Sequence, residues 1–167
     1  GLAEEMNVLD EVDITVGTLG KALASMGAYV LANNSSIIDY LTNQAGEYIY
    51  STFLPPSQVG AALESIKLIK TFDEQRKKMR SLSKYFRKCL NQKSGVIESP
   101  IIPILIGDAQ KTLKLRDEFL NNGILVGAVR PPTVPEDSSR LRISLHSKIS
   151  ESLVDELIKI LEPWKKN

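Results

Sequence analysis

Between residues 59 and 90 apolar side chains return at three- and four-residue steps: Val59, Ala62, Leu63, Ile66, Ile69 and Phe72, then Met79, Leu82, Tyr85, Phe86, Cys89 and Leu90. That period marks one face of an α-helix, either one very long helix or two joined near Asp73. Pro55-Pro56 precedes it, a pair through which a helix cannot continue but after which one can start, with Ser57 as its N-cap. A helix of this reach often bridges two domains. The sequence therefore divides into residues 1–56, a linking helix over 57–92 and a small C-terminal domain over 93–167.

The two flanks differ in pattern. Before the helix, residues 2–12 carry apolar positions at helical intervals among acidic ones, and 13–16 read as a brief strand ended by Gly17. Residues 28–32 form a second strand, Asn33-Asn34-Ser35-Ser36 a turn and helix cap, and Ile37, Ile38 and Leu41 continue with helical spacing toward Gly46. After the helix the units are short: strand 101–106, a turn and cap at Gly107-Asp108, and a helix over 109–121 with Leu113, Leu115, Phe119 and Leu120 inward. Asn122-Gly123 closes that helix. Strands at 124–129 and 140–145 and a final helix ending near Pro163 complete a small sheet with helices on one face. The fold class is α/β, with an α+β C-terminal domain.

From Ile14 to Ile38 the chain is apolar, small or uncharged except for the ammonium of Lys21. A lone lysine there is either a snorkelling surface residue or a group placed for chemistry. Water-poor surroundings would pull its pKa down and make it a usable nucleophile. Gly17, Gly20, Ala22, Ala24, Ser25 and Gly27 leave room for a planar ligand. Thr18 lies three residues earlier on the turn leaving a strand; its hydroxyl suits a phosphate and the amine suits a carbonyl carbon, which together suggest a phosphorylated aldehyde.

Other polar positions stand where core patterning would not put them. Ser51 and Thr52 are adjacent hydroxyls ahead of the proline pair, readable as turn chemistry or as ligand donors. Strand alternation in Arg140-Leu141-Arg142 sends both guanidiniums to one face, a solvated face or a carboxylate clamp beside the loop Arg130-Pro131-Pro132-Thr133-Val134-Pro135. The run Arg76, Lys77, Lys78, Arg80, Lys84, Arg87, Lys88 makes a basic helix surface, usually a solvated face. His146 reads as a strand-end surface residue.

A formal net charge of +1 with 25% charged residues argues against a dedicated nucleic-acid binder, and no uncharged apolar run approaches a membrane span. Acidic residues at 4, 5, 10 and 11 do not suit a signal peptide, so a cytoplasmic protein is expected. The single Cys89 excludes an internal disulfide and lacks partners at zinc-ligand spacing. Opening on Gly1, the chain reads as a fragment of a longer protein.

Thr18-Leu19-Gly20-Lys21, Tyr50-Ser51-Thr52 and the proline loop followed by Arg140-Leu141-Arg142 resemble, in order and spacing, the α-oxoamine synthases. The resemblance covers the whole chain and roughly the C-terminal two fifths of such a protein. It implies a pyridoxal-phosphate enzyme of fold type I, with residues 1–56 ending the large cofactor-binding domain. Position by position, it implies that Lys21 joins the cofactor as a Schiff base and that Thr18 meets its phosphate. Ser51 and Thr52 would reach a phosphate across a homodimer interface, Arg142 would hold the amino-acid carboxylate and Thr133 would touch substrate. The strings Ile-Tyr-Ser-Thr, Pro-Ile-Leu-Ile-Gly-Asp and Arg-Pro-Pro-Thr-Val-Pro are similar to members that condense L-alanine with a pimeloyl thioester, on coenzyme A or a carrier protein, in biotin biosynthesis. The alternatives are an α-oxoamine synthase using glycine with another acyl-CoA, or a non-catalytic module whose basic helix binds an acidic partner. The family's aspartate for the pyridine nitrogen and its two histidines are expected before Gly1, so residues 1–167 alone are expected to be inactive. Ile149 stands where family members commonly carry a histidine.

Overall fold

The structure is a computed structural model and describes residues 1–93 and 98–164. The chain separates into two compact units, Gly1–Phe72 and Asp73–Asn167.

In the first unit a short helix, α1 (Leu2–Glu5), and a 3-10 turn at Leu9–Glu11 lead into an antiparallel hairpin of β1 (Ile14–Thr18) and β2 (Ala28–Ala32). Asn33 closes its open end, donating from Nδ2 to the Val12 carbonyl at 2.8 Å and from N–H to the Asp13 carbonyl at 3.2 Å. The strand does not stop at Gly17. It runs on to Thr18 because Gly17 pairs with Tyr29, whose ring covers the glycine so closely that an added Cβ would overlap it. An aromatic laid over a strand glycine in this way supplies the packing the glycine lacks.

Helix α2 (Ser35–Gln44) begins where expected, with Asn34 Oδ1 accepting the Ser36 N–H at 2.9 Å. After α3 (Gly46–Ile49), helix α4 (Pro56–Ile69) starts at Pro56 rather than after a Ser57 cap. Proline fits the first helical position because its missing N–H would have had no partner there, and the Pro55 carbonyl accepts from Gln58 and Val59. The apolar run divides at residues 70–72, so α5 (Asp73–Cys89) is a separate helix with Asp73 and Glu74 at its positive end.

The second unit carries a three-stranded antiparallel sheet, order β3-β5-β4, from β3 (Ile101–Gly107), β4 (Gly127–Val129) and β5 (Ser139–Ser144). Helices α5, α6 (Ala109–Asn121) and α7 (Glu151–Leu161) cover one face around Leu82, Phe86, Ile102, Leu115, Phe119, Leu141, Ile143, Val154, Leu157 and Leu161. Asp108 caps α6, accepting the Lys111 N–H at 2.7 Å, and Gly123 at φ +75 follows its end. The buried face of α6 is Thr112, Leu115 and Phe119; Leu120, expected inward, is 54% exposed because it lies one residue round the helix from Phe119. The expected strand over 124–129 shortens to β4, with Leu125 turned to solvent. Ile149 packs in the core, and among the described residues no helix is long and apolar enough to cross a membrane.

Candidate functional site

Lys21 stands on the loop joining β1 to β2. The loop is compact: the Leu19 N–H bonds the Gly27 carbonyl at 2.8 Å, Ser25 N–H bonds the Leu19 carbonyl at 2.9 Å, and Ala24 N–H bonds the Lys21 carbonyl at 3.0 Å. Leu19 and Leu23 turn inward against Ala62 of α4, with Leu54 beside them. Two hydroxyls join the same surfaces, Ser25 Oγ donating to the Gln58 carbonyl at 2.6 Å and Ser65 Oγ to the Leu23 carbonyl at 2.8 Å.

Of the two settings the sequence leaves open for Lys21, the structure shows the exposed one: it lies at the surface, as do Thr18 and much of the hairpin, with Val16 at 69% and Leu31 at 59%. Burial of a strand depends on what packs over it, and no described element covers these positions. Gly20 leaves the backbone beside the lysine open, since an added Cβ would meet nothing closer than the Ser25 carbonyl oxygen at 3.6 Å. Among the described residues no hydrogen bond or ion pair engages the Lys21 ammonium.

Ser51 and Thr52 also belong to the first unit. They lie exposed between α3 and α4, flanked by Tyr50 at 87% and Phe53 at 80% exposure. That much aromatic surface in one loop exceeds the scattered single residues normal for a protein exterior.

Thr133 and Arg142 belong to the second unit. The loop after β4 closes a turn with Thr133 N–H donating to the Arg130 carbonyl at 3.0 Å across a cis Pro131–Pro132 bond, and leaves Thr133 exposed. Strand alternation holds: Leu141 and Ile143 are buried while Arg142 faces out. Arg142 sits on the middle strand, in register with Pro103 on β3 and Gly127 on β4. Neither neighbour carries a long or charged side chain, so the row around the guanidinium is bare. The two arginines are not equivalent. Arg140 Nε donates to the Ser138 carbonyl at 2.9 Å, whereas no hydrogen bond or ion pair engages the Arg142 guanidinium among the described residues. Arg142 therefore keeps all of its donors for an anion, whereas one of Arg140's is committed to the backbone.

The basic run on α5 is partly spent within the helix and its surroundings. Arg76 pairs with Asp73, and Lys77 meets Glu74 at 2.8 Å, whose hydrogen bond holds the ammonium above its usual range. Arg87 is held by the Ile101 carbonyl at 2.7 Å and by Glu98 at 3.5 Å. His146 takes part in a local turn, its Nδ1 accepting the Lys148 N–H at 3.3 Å.

Sequence reasoning missed Gln58 and Ser65 and read Ala62 only as part of the apolar stripe. Their spacing of four and three residues puts a polar, a small and a hydroxyl side chain on one face of α4, while the loop groups that Gln58 and Ser65 bond lie too far off in sequence for that spacing to reveal.

A family model described as aminotransferase class I and II matches residues 1–161. An 8-amino-7-oxononanoate synthase of Aeromonas salmonicida is 40% identical over 155 residues, which are 91% of this chain and 39% of that protein. Among solved structures, the 8-amino-7-oxononanoate synthase of Francisella tularensis is 30% identical with a TM-score of 0.76, covering 89% of this chain and 44% of its own. A serine palmitoyltransferase of Sphingomonas wittichii is 26% identical with a TM-score of 0.86, covering 98% of this chain and 42% of its own. The chain thus spans about two fifths of the length of the curated relatives it matches.

Proposed function

The chain belongs to the aminotransferase class I and II family, and from that membership we propose that it carries part of the active site of an 8-amino-7-oxononanoate synthase. The whole enzyme would be a cytoplasmic homodimer of biotin biosynthesis, condensing L-alanine with a pimeloyl thioester, on coenzyme A or a carrier protein, with loss of carbon dioxide.

The observation that carries the reading is Lys21: an exposed amine with no partner among the described residues, on a loop fixed by hydrogen bonds on both sides. The donor set suits pyridoxal phosphate. A free primary amine meets its aldehyde, the Thr18 hydroxyl its phosphate, and the bare backbone at Gly20 leaves space for its ring. When bound, that cofactor supplies an electron sink for the charge left at the amino-acid α-carbon.

The chain's own groups would do the rest. The Lys21 amine would take the α-proton and later return one. Arg142 holds the carboxylate until it departs, its planar fork matching the two oxygens. Thr133, on the turn closed by its N–H to the Arg130 carbonyl, contacts the substrate, and Ser51 and Thr52 reach the phosphate of a second subunit. The exposed Tyr50 and Phe53 support burial of that loop in a subunit interface. The likeness to a serine palmitoyltransferase favours, as a second reading, a member that uses another amino acid and acyl chain.

The test is a substrate panel on the complete protein: alanine, glycine and serine against pimeloyl and other acyl thioesters, with product identified by mass. Alanine with pimeloyl thioester should dominate, and residues 1–167 alone should form no product. Preference for glycine or serine would transfer the assignment to the second reading; turnover by residues 1–167 alone would contradict the shared site.

A further inference from the structure

The loop that presents Lys21 pays for its shape. Ala24 adopts φ +50, a left-handed conformation that an ordinary L-residue disfavours, and Gly27 follows at φ +95. A strained backbone persists only where its surroundings over-determine it. Here the surroundings are α4, and the attachment is reciprocal. The loop donates a hydroxyl to the helix, Ser25 Oγ to the Gln58 carbonyl at 2.6 Å; the helix donates one back, Ser65 Oγ to the Leu23 carbonyl at 2.8 Å. Both bonds are partly buried, and Leu19, Leu23 and Ala62 close around them. The second bond fixes the peptide leading directly into Ala24.

We infer that Ser25 and Ser65 are positioning residues for Lys21, a pair of crossed hydroxyl-to-carbonyl bonds that holds the lysine loop against α4 and so aims its amine at an aldehyde ligand. The inference rests on the reading of Lys21 given above. Without the clamp, Ala24 relaxes toward an ordinary right-handed or extended conformation, and Lys21, three residues earlier, swings with it. The neighbouring apolar contacts cannot substitute, because they limit distance without fixing the orientation of a peptide plane. The serines need touch no cofactor atom to do this.

Two readouts test it on the chain itself. The first is amide hydrogen exchange at Ala24 and Ser25, with α6 amides as internal reference. The second is the share of borohydride-trapped pyridoxal phosphate found on Lys21 against all other lysines. Ser65→Ala and Ser25→Ala should each raise loop exchange about five- to tenfold, the effect of losing one partly buried hydrogen bond. They should leave α6 unchanged and cut the Lys21 share several-fold, and Ser65→Thr, which keeps a hydroxyl, should restore both. Far-UV circular dichroism identifies any variant that has lost α4, and the Ser65→Thr comparison then decides. If the unmodified chain favours Lys21 and both alanine variants do so equally with unchanged exchange, the positioning role is overturned alone. If the unmodified chain does not favour Lys21, the reading of that lysine falls and the positioning role with it.

Discussion

The alternation that exposes Arg142 also buries Leu141, which makes Leu141→Ala a quantitative test of the register on which the proposed carboxylate site depends. Leu141 is 0% exposed on the middle strand, in register with Ile104 and Ala128. Truncation removes three carbons, worth about 2 kcal/mol in transfer, and leaves a cavity that three surrounding helices cannot easily fill, for a total of about 3 kcal/mol. Leu105 lies on the same sheet with its side chain on the opposite face at 67% exposure, so Leu105→Ala should cost about 0.5 kcal/mol or less. Trp164, the single tryptophan, packs against the same core and donates to Glu118 at 2.9 Å, so its fluorescence reports this unit. With a urea slope of about 1.5 kcal/mol per molar, Leu141→Ala should lower the midpoint by about 2 M and Leu105→Ala should barely move it. Equal shifts for the two leucines would refute the register, and with it the outward placement of Arg142.

Three further outcomes follow from particular contacts. Gly27→Ala puts a Cβ 2.6 Å from Leu54 at φ +95, whereas Gly20→Ala meets only ordinary contact, so tryptic cleavage after Lys21 should accelerate on the order of tenfold in the first and hardly in the second. Equal rates would contradict the compact loop. Tyr85 donates to Asp155 at 2.6 Å, and that bond pushes its hydroxyl pKa well up. The raised value belongs to the folded state, so the stabilisation is complete below the unfolded value of about 10 and is lost as pH rises through the folded one. In an alkaline absorbance titration one of the five tyrosines should therefore ionise late, and Tyr85→Phe should remove that late step; simultaneous ionisation of all five would show the bond absent. Asp108→Ala removes the cap on Lys111 N–H and should cost about 1 kcal/mol by Trp164 fluorescence, with Asp108→Asn recovering most of it.

How far the sequence could be read depended on whether the deciding contact was local. Ala28–Ala32 and Ala109–Asn121 were legible to the residue, because each is bounded by its own turn and cap chemistry. Gly17 was misplaced as a strand end because its partner, Tyr29, lies across the hairpin. The start of α4 moved because the second proline, not Ser57, occupies the first helical position. Of the site residues, the outward face of Arg142 followed from period-two alternation alone, while its difference from Arg140 rests on one bond to Ser138. For Lys21 the sequence left exposure and burial both open: an apolar run specifies a preference for burial, and only its neighbours decide whether burial occurs. Ser65 looked like an ordinary helix residue because its acceptor, Leu23, is far away in sequence.

Peptide mapping of the chain after limiting pyridoxal phosphate and borohydride tests the role of Lys21 most directly. Lys21 should carry the largest share of reduced adduct, ahead of the exposed Lys77, Lys78, Lys84 and Lys88 of α5, and Lys21→Ala should remove most of the total. Label spread across the α5 lysines, with the total unchanged in Lys21→Ala, would show that Lys21 is not the cofactor lysine.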